Sequence, residues 1–323
     1  MIQFLLGFFA TLALSTLCGT ATAQDFPNKP IRFVLPQPPG GAVDLISRTL
    51  GMALTKNLKQ PVIVENRPGA NGILAAEHVL KSDPDGYTLF FAVDTNLVVN
   101  HQLYAKVPYD PMRDFAPISI IAQNGLVLVA NNSLALNNVA DVIAMARAAP
   151  GKLNYGSIGF GSQHHLGMEL LKAMAKVDLL HVPYTGQPAA LAALVQGSVG
   201  IMMSGTPAAL ALSKAGQIKL LAATSLDRSK FLPDLPTVSE AGLSGFDVTG
   251  WFGLVAPAAT PASVLGKLQQ EVIRATQDVE LRATFVKVGL EVLGATPEQM
   301  LARMKTDTEK WGRVIKSSGA KIE

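Results

Sequence analysis

Short apolar runs alternate with amphipathic stretches along almost the whole chain, and they do so in two successive series. Strand-sized runs separated by helix-sized segments favour crossovers over hairpins. Each series therefore reads as a mostly parallel sheet flanked by helices, an α/β fold. In the first series the run at 31–35 leads into a helix striped by Ile46, Leu50, Ala53 and Leu54. Strands are expected at 60–65 and 87–93, the second behind a "DPDG" turn. A polar loop is expected at 94–96 ("DTN"), an irregular stretch at 107–117, and two strands at 118–122 and 126–130. The second series carries expected helices at 139–149, 161–176 and 188–196. Its strands fall at 153–155, 179–182, 199–203 and 218–223, and those at 179–182 and 199–203 read as buried. A long connector then reaches a strand at 248–256. The tail is helical, with a capping box at Thr296 and Gln299 and an apolar stripe of Met300, Met304, Trp311 and Ile315.

Two strand-to-helix junctions are rich in glycine. The first is "LPQPPGGAVDLISRTL" at 35–50, the second "NYGSIGFGSQHHLGMEL" at 154–170. Such a junction leaves backbone N–H groups unpaired at a helix start, with the helix dipole behind them, and so suits an anion. The plainer reading is a tight turn made by Gly40 and Gly41. One such loop in each series strengthens the anion reading, because a ligand between two domains is gripped from both sides. The second loop spaces its glycines G-x-x-G-x-G, which is not a dinucleotide fingerprint.

With 323 residues the chain has room for about two domains. Its 27 basic and 24 acidic residues are spread along the sequence, with no basic run interleaved with aromatics, which argues against a nucleic-acid partner. Residues 1–23 carry no charge and end "ATA", with Ala21 and Ala23 where a signal peptidase expects small residues. The single cysteine, Cys18, falls within this segment. A cleaved signal leaves an exported chain without disulfides, held together by its core.

Eight segments, taken in order, resemble the substrate-binding receptors of tripartite tricarboxylate transporters, the Bug family. They are "PNKPIRFVLPQPPGGAVD", "VENRPGANG", "SDPDGYTL", "YDPMRDFAPIS", "YGSIGFGSQHHL", "HVPYTG", "LPDLPTVSEAG" and "WFGLVAPAATP". The resemblance implies a two-lobed periplasmic binding protein fold with two crossover strands, placed here near Gly125 and Thr249. Lobe one then comprises 24–124 and 250–323, and lobe two 125–249. It further implies a monomeric receptor, without cofactor, that takes a small mono- or dicarboxylate to the membrane permease subunits of a transporter. Carried over residue by residue, the clamp falls on Pro39, Gly40, Gly41, Ser157, Gly159 and Ser162. Thr95, Tyr184 and Thr185 would close its sides. Asp44 matches the motif's acidic position, and its simpler role is to satisfy N–H groups at the helix start. Gln37 and Ser204 depart from the family pattern, the first where an apolar residue is common and the second where an acidic one is. Together with Phe160, between the clamp glycines, they are expected to tune the far end of the ligand.

An enzyme is the main rival. Ser157, His164 and His165 lack a G-x-S-x-G elbow, and spacing fixes no base for the serine. His165 and Glu169, four apart, have no evident third metal ligand, so neither a catalytic nor a metal site is expected. His78, His101 and His181 read as isolated. A periplasmic sensor subunit would use the same closed form as a transport receptor, and the sequence does not separate the two.

Overall fold

The computed structural model describes residues 26–319, so the expected signal segment 1–23, Cys18 included, lies outside the described residues. From the N-terminal side the elements are β1 (Ile31–Leu35), α1 (Ala42–Leu58), β2 (Val62–Asn66), α2 (Ile73–Leu80) and β3 (Thr88–Val93). Three short helices follow, α3 (Asp94–Val98), α4 (Asn100–Leu103) and α5 (Pro111–Asp114), and then the long strand β4 (Phe115–Asn131). The second series comprises α6 (Val139–Ala148), β5 (Asn154–Ser157), α7 (Gln163–Ala175), β6 (Leu180–Pro183), α8 (Gln187–Val195), β7 (Ile201–Gly205), α9 (Thr206–Lys214) and β8 (Ile218–Ala223). The chain returns through β9 (Thr249–Pro257) and closes with α10 (Ala262–Ala275), α11 (Val279–Lys287), β10 (Glu291–Val292) and α12 (Pro297–Ser318).

Strand order β2-β1-β3-β9-β4-β7-β5-β6 makes one continuous, mixed sheet. β1, β2 and β3 are parallel; β9 is antiparallel to β3 and to β4. β7 runs antiparallel to β4, and β5 and β6 are parallel to β7. The two parallel sets therefore run in opposite directions, and their C-terminal ends meet at the middle of β4. Val93 pairs with Phe252, which pairs with Ala122; from the other side Gly205 pairs with Leu126. Ligands of open α/β sheets bind at the C-terminal ends of the strands, so two such edges here enclose one cleft.

β4 is a single strand where two were expected. Its central Gln123, Asn124 and Gly125 are half-buried and break the apolar run while the hydrogen-bond ladder continues through them. The expected polar loop at 94–96 is helix α3. Asn96 accepts the Val93 N–H at 2.9 Å and caps a helix that begins directly off the strand. β6 lies on a sheet edge with Leu180 exposed, so the expectation of a buried strand does not hold there.

Phe33, Phe91, Leu50, Leu268 and Phe285 form a core on one face of the first series. Val129, Leu194, Met202 and Ile218 form another in the second. A third core spans both, joining Phe90 and Phe115 to Tyr155, Leu166 and Met203, with Trp251, Met304 and Trp311 among its members. α12 seals it. Buried Asp307 on this helix accepts from Trp251 Nε1 (2.9 Å) and Arg303 Nε (2.8 Å), and pairs with Lys310 Nζ at 3.2 Å. Arg303 and Lys310 also each reach Asp247 at 3.6 Å. Replacing Asp307 by alanine leaves the Trp251 indole N–H unpaired and both cations with only the longer Asp247 contact as carboxylate partner. Because both cations keep some solvent contact, the expected loss of stability is about 2–3 kcal/mol. Urea unfolding of Asp307→Ala against the parent measures it.

Candidate functional site

The loop after β1 is held open from below. Gly40 takes φ +88°, which a side chain would resist, and its N–H donates to Asp44 Oδ2 at 3.1 Å. Arg48 Nε also donates to that oxygen (2.9 Å), while Arg48 and Asn66 reach the other at 2.9 and 3.1 Å. The Arg48 hydrogen bond comes first among the causes that lower the Asp44 pKa to about 2. Asp44 is thus a buried strut. Gln37, Pro39, Gly40 and Gly41 remain exposed above it, and Gly41 is the N-cap of α1, with no side-chain cap on the first N–H groups of the helix. Gly72, at φ +85°, packs so closely on Pro36 and Asn96 that a Cβ would lie 2.6 and 2.5 Å from them.

The second loop rests on a network of its own. Ser157 is fully buried; its Oγ lies 2.7 Å from His181 Nε2 and accepts the Gly159 N–H at 3.2 Å. Ser162 Oγ donates to the Gly159 carbonyl (2.7 Å) and accepts the His165 N–H (3.3 Å), which caps α7. Gly159 and Gly161 take φ +119° and +72°, and Phe160 between them is 58% exposed. Its ring stands edge-on to His165 and His181, which stack on each other at 4.3 Å. His181 is therefore part of a cluster, contrary to its reading as isolated. Burial, and then His165, lower its pKa to about 4. Tyr184 follows β6 half-buried, its N–H donating to the Ser157 carbonyl at 2.9 Å; Thr185 is exposed and Ser204 wholly buried.

Three contacts join the two edges. Asp94 Oδ2 accepts from Gln163 Nε2 at 2.9 Å. Gln163 covers Gly250, where a Cβ would fall 2.3 Å from it, and a Cβ on Gly161 would fall 2.2 Å from Leu103. Thr95 is buried next to Asp94, and its N–H donates to Asp94 Oδ1 at 2.7 Å. Sequence reasoning placed the 94–96 loop at the side of the clamp, singling out Thr95 within it, but did not assign Gln163, His164, His181 or Gln187 to this edge. Only Gln163 and His164 carried a signal, their place at the first turn of the helix behind the second glycine loop. Among the described residues no three His, Cys, Asp or Glu side chains are grouped to hold a metal, and no helix is long and apolar enough to cross a membrane.

A family profile described as "Tripartite tricarboxylate transporter family receptor" matches residues 46–320. The chain belongs to this receptor family. Protein BugT of Bordetella pertussis is 32% identical, over 97% of this chain and 96% of its own. Among solved structures, R. palustris Rpa4515 with adipate is 33% identical with a TM-score of 0.80, covering 91% of this chain and 99% of that one. MatC (Rpa3494) from Rhodopseudomonas palustris, with bound malate, is 31% identical with a TM-score of 0.76, covering 90% and 100%. Membership makes the chain a solute-binding receptor of two-lobed fold, in a family of receptors and not of enzymes.

In this member of the family, Asp94 is 1% exposed, and burial first, then Asp307, raise its pKa to about 7. The ordinary value is 3.8, so between roughly pH 4 and 7 the unfolded chain releases a proton that the folded chain keeps. Asp94 therefore withdraws stability as pH rises through that window. Asp94→Asn, which cannot ionise, is expected to gain stability relative to the parent from pH 4 to pH 8. Paired thermal melts at pH 4, 6 and 8 read the changing difference, whatever constant offset the amide adds.

Proposed function

We propose that this receptor binds a small mono- or dicarboxylate between its lobes and delivers it to the membrane permease subunits of a tripartite tricarboxylate-type transporter. It acts in the periplasm as a monomer, after loss of residues 1–23, without cofactor or nucleic acid. Lobe one is 24–124 with 250–323, and lobe two is 125–249. The observation that carries the ligand reading is the convergence of two glycine loops from oppositely running strand sets on one cleft, with no Lys or Arg in 36–41 or 157–163. An anion there is met by backbone N–H groups, hydroxyls and water. The adipate and malate held by two relatives support the same chemistry. Gln37, Pro39, Gly40, Gly41, Gly159, Phe160, Ser162, Tyr184 and Thr185 line the clamp. Asp44, Thr95, Ser157 and Ser204 support it from beneath, since their side chains are buried.

Isothermal calorimetry with C3–C6 mono- and dicarboxylates tests this. A binding acid is expected to lose its affinity when its carboxylate is amidated, and equal affinity for acid and amide would contradict the reading.

Gly41→Val separates clamp from turn. Gly41 has φ −86°, and the nearest atom to an added Cβ is Gln37 Oε1 at 3.7 Å, so the fold accepts the side chain. A branched residue there would fill the approach to the first-turn N–H groups of α1. The expected outcome is an unchanged melting temperature within a few degrees and at least tenfold weaker carboxylate binding, about 1.4 kcal/mol. Unchanged affinity would return Gly40 and Gly41 to an ordinary turn.

A further inference from the structure

His164 is the second residue of α7 and only 8% exposed, yet its Nδ1 has no hydrogen-bond partner among the described residues. Its other nitrogen, Nε2, lies 3.4 Å from Gln187 Oε1 at the start of α8. That same oxygen accepts the backbone N–H of Gly205 at 3.3 Å, which fixes how the Gln187 amide is turned. With an acceptor facing it, Nε2 must carry the ring proton, and Nδ1 is left as a bare lone pair. Burial lowers the pKa of the ring to about 4, so it is neutral under ordinary conditions.

The placement is at the cleft edge. Gly205 ends β7 and pairs with Leu126, one residue beyond the crossing at Gly125, and Thr206 Oγ1 donates to the Gly125 carbonyl at 3.2 Å. Gln163, beside His164, bonds Asp94 on the other lobe. A second bare acceptor lies at the crossing itself: Asn124 Oδ1 is buried without a partner among the described residues. Asn124 pairs with Gly250, the residue that Gln163 covers, so its side chain shares that face of the sheet. A buried acceptor left unpaired is unfavourable by about 1–3 kcal/mol, so each calls for a donor that the described residues do not supply.

We propose that His164 is a specificity-determining residue whose Nδ1 accepts a hydrogen bond from a hydroxyl on the ligand, so that the carboxylate this receptor takes is a hydroxycarboxylate. The inference rests on the carboxylate reading above and adds the second group. A ligand presenting only carbonyl or carboxylate oxygens to this edge sets lone pair against lone pair. A plain acid leaves the nitrogen unpaired when water is expelled.

Calorimetry on the mature chain with matched probes tests it: malate against succinate, and 3-hydroxybutyrate against butyrate. In whichever pair binds, the hydroxylated acid is expected to bind roughly tenfold tighter or more. In His164→Gln the amide reaches the Nε2 position and keeps the contact to Gln187 but leaves nothing at Nδ1, and the preference should fall to near one. In His164→Asn the side-chain oxygen falls near Nδ1, and most of the preference should remain. A merely structural role for His164 would lower both affinities together and leave their ratio unchanged. Equal affinity within a pair in the parent, or an undiminished ratio in His164→Gln, overturns the inference while leaving the carboxylate reading intact. If neither hydroxylated acid binds, the inference falls, and the wider C3–C6 series decides the carboxylate reading separately. The parent ratio decides even if a variant does not fold.

Discussion

The antiparallel pairing of β4 with β9, from Phe115 against Pro257 to Gly125 against Thr249, is what makes two sheets into one molecule. β9 has both edges occupied, by β3 and by β4, and every one of its nine residues is buried. β4 leaves that partner after Gly125 and takes β7 and β8 instead. The parallel strands of the first series reach the second only through this pair. Their opposed directions, and hence the meeting of two C-terminal edges in one cleft, follow from it. Two strands also make a narrow connection, of the kind that bends more readily than it slides. Gly250 at the crossing is glycine for a stated reason: Gln163 occupies the space its Cβ would need.

α12 constrains any such bending. Its apolar stripe joins the core that spans both series, and its polar groups reach three places. Gln102 Nε2 donates to the Thr308 carbonyl at 2.8 Å on the first-series side, Trp251 Nε1 to Asp307 on the crossover strand, and Arg303 and Lys310 engage Asp247 where the chain leaves the second series. The helix follows the first lobe in chain order but packs against α7 of the second as well. Relative motion of the lobes must therefore either carry α12 with one of them or break part of a buried network. Trp251 stands where either event would change its surroundings.

The alternation of strand and helix was legible because it arises from burial on a sheet, which the residue pattern records directly. The run at 218–223 is strand β8 with the bounds its composition suggests. What was not legible came from tertiary pairing. β4 looked like two strands because Gln123, Asn124 and Gly125 sit at the crossing, where the ladder continues without an apolar core around them. "DTN" looked like a loop because Asp and Asn favour turns, but a buried Asp94 and a capping Asn96 need the long-range partner Gln163 and the end of β3 to become a helix start. Of the clamp, the glycine loops announced themselves by local composition. His181 did not, since its stacking on Tyr155 and His165 joins residues from three elements at no fixed spacing.

The electrostatics of this edge fit the proposed binding of an anion without a cation to meet it. Two carboxyls lie close to the cleft, and each is removed as a repulsive charge by a different route. Asp44 stays ionised but is balanced by Arg48 and by two further donors, the Gly40 N–H and Asn66 Nδ2, while burial holds the Asp94 pKa near 7 so that a proton offsets its charge through mildly acidic conditions. The lowered pKa values of His164, His165 and His181 leave the imidazoles neutral as well. A carboxylate entering from water therefore meets oriented N–H groups and hydroxyls in a nearly uncharged setting, and its hydration must be replaced bond for bond. Such a site gains little from net charge and discriminates through the pattern of its donors and acceptors. That is why the fixed orientation of single side chains, Gln187 by Gly205 or Ser162 by Gly159, matters more to it than any added lysine would.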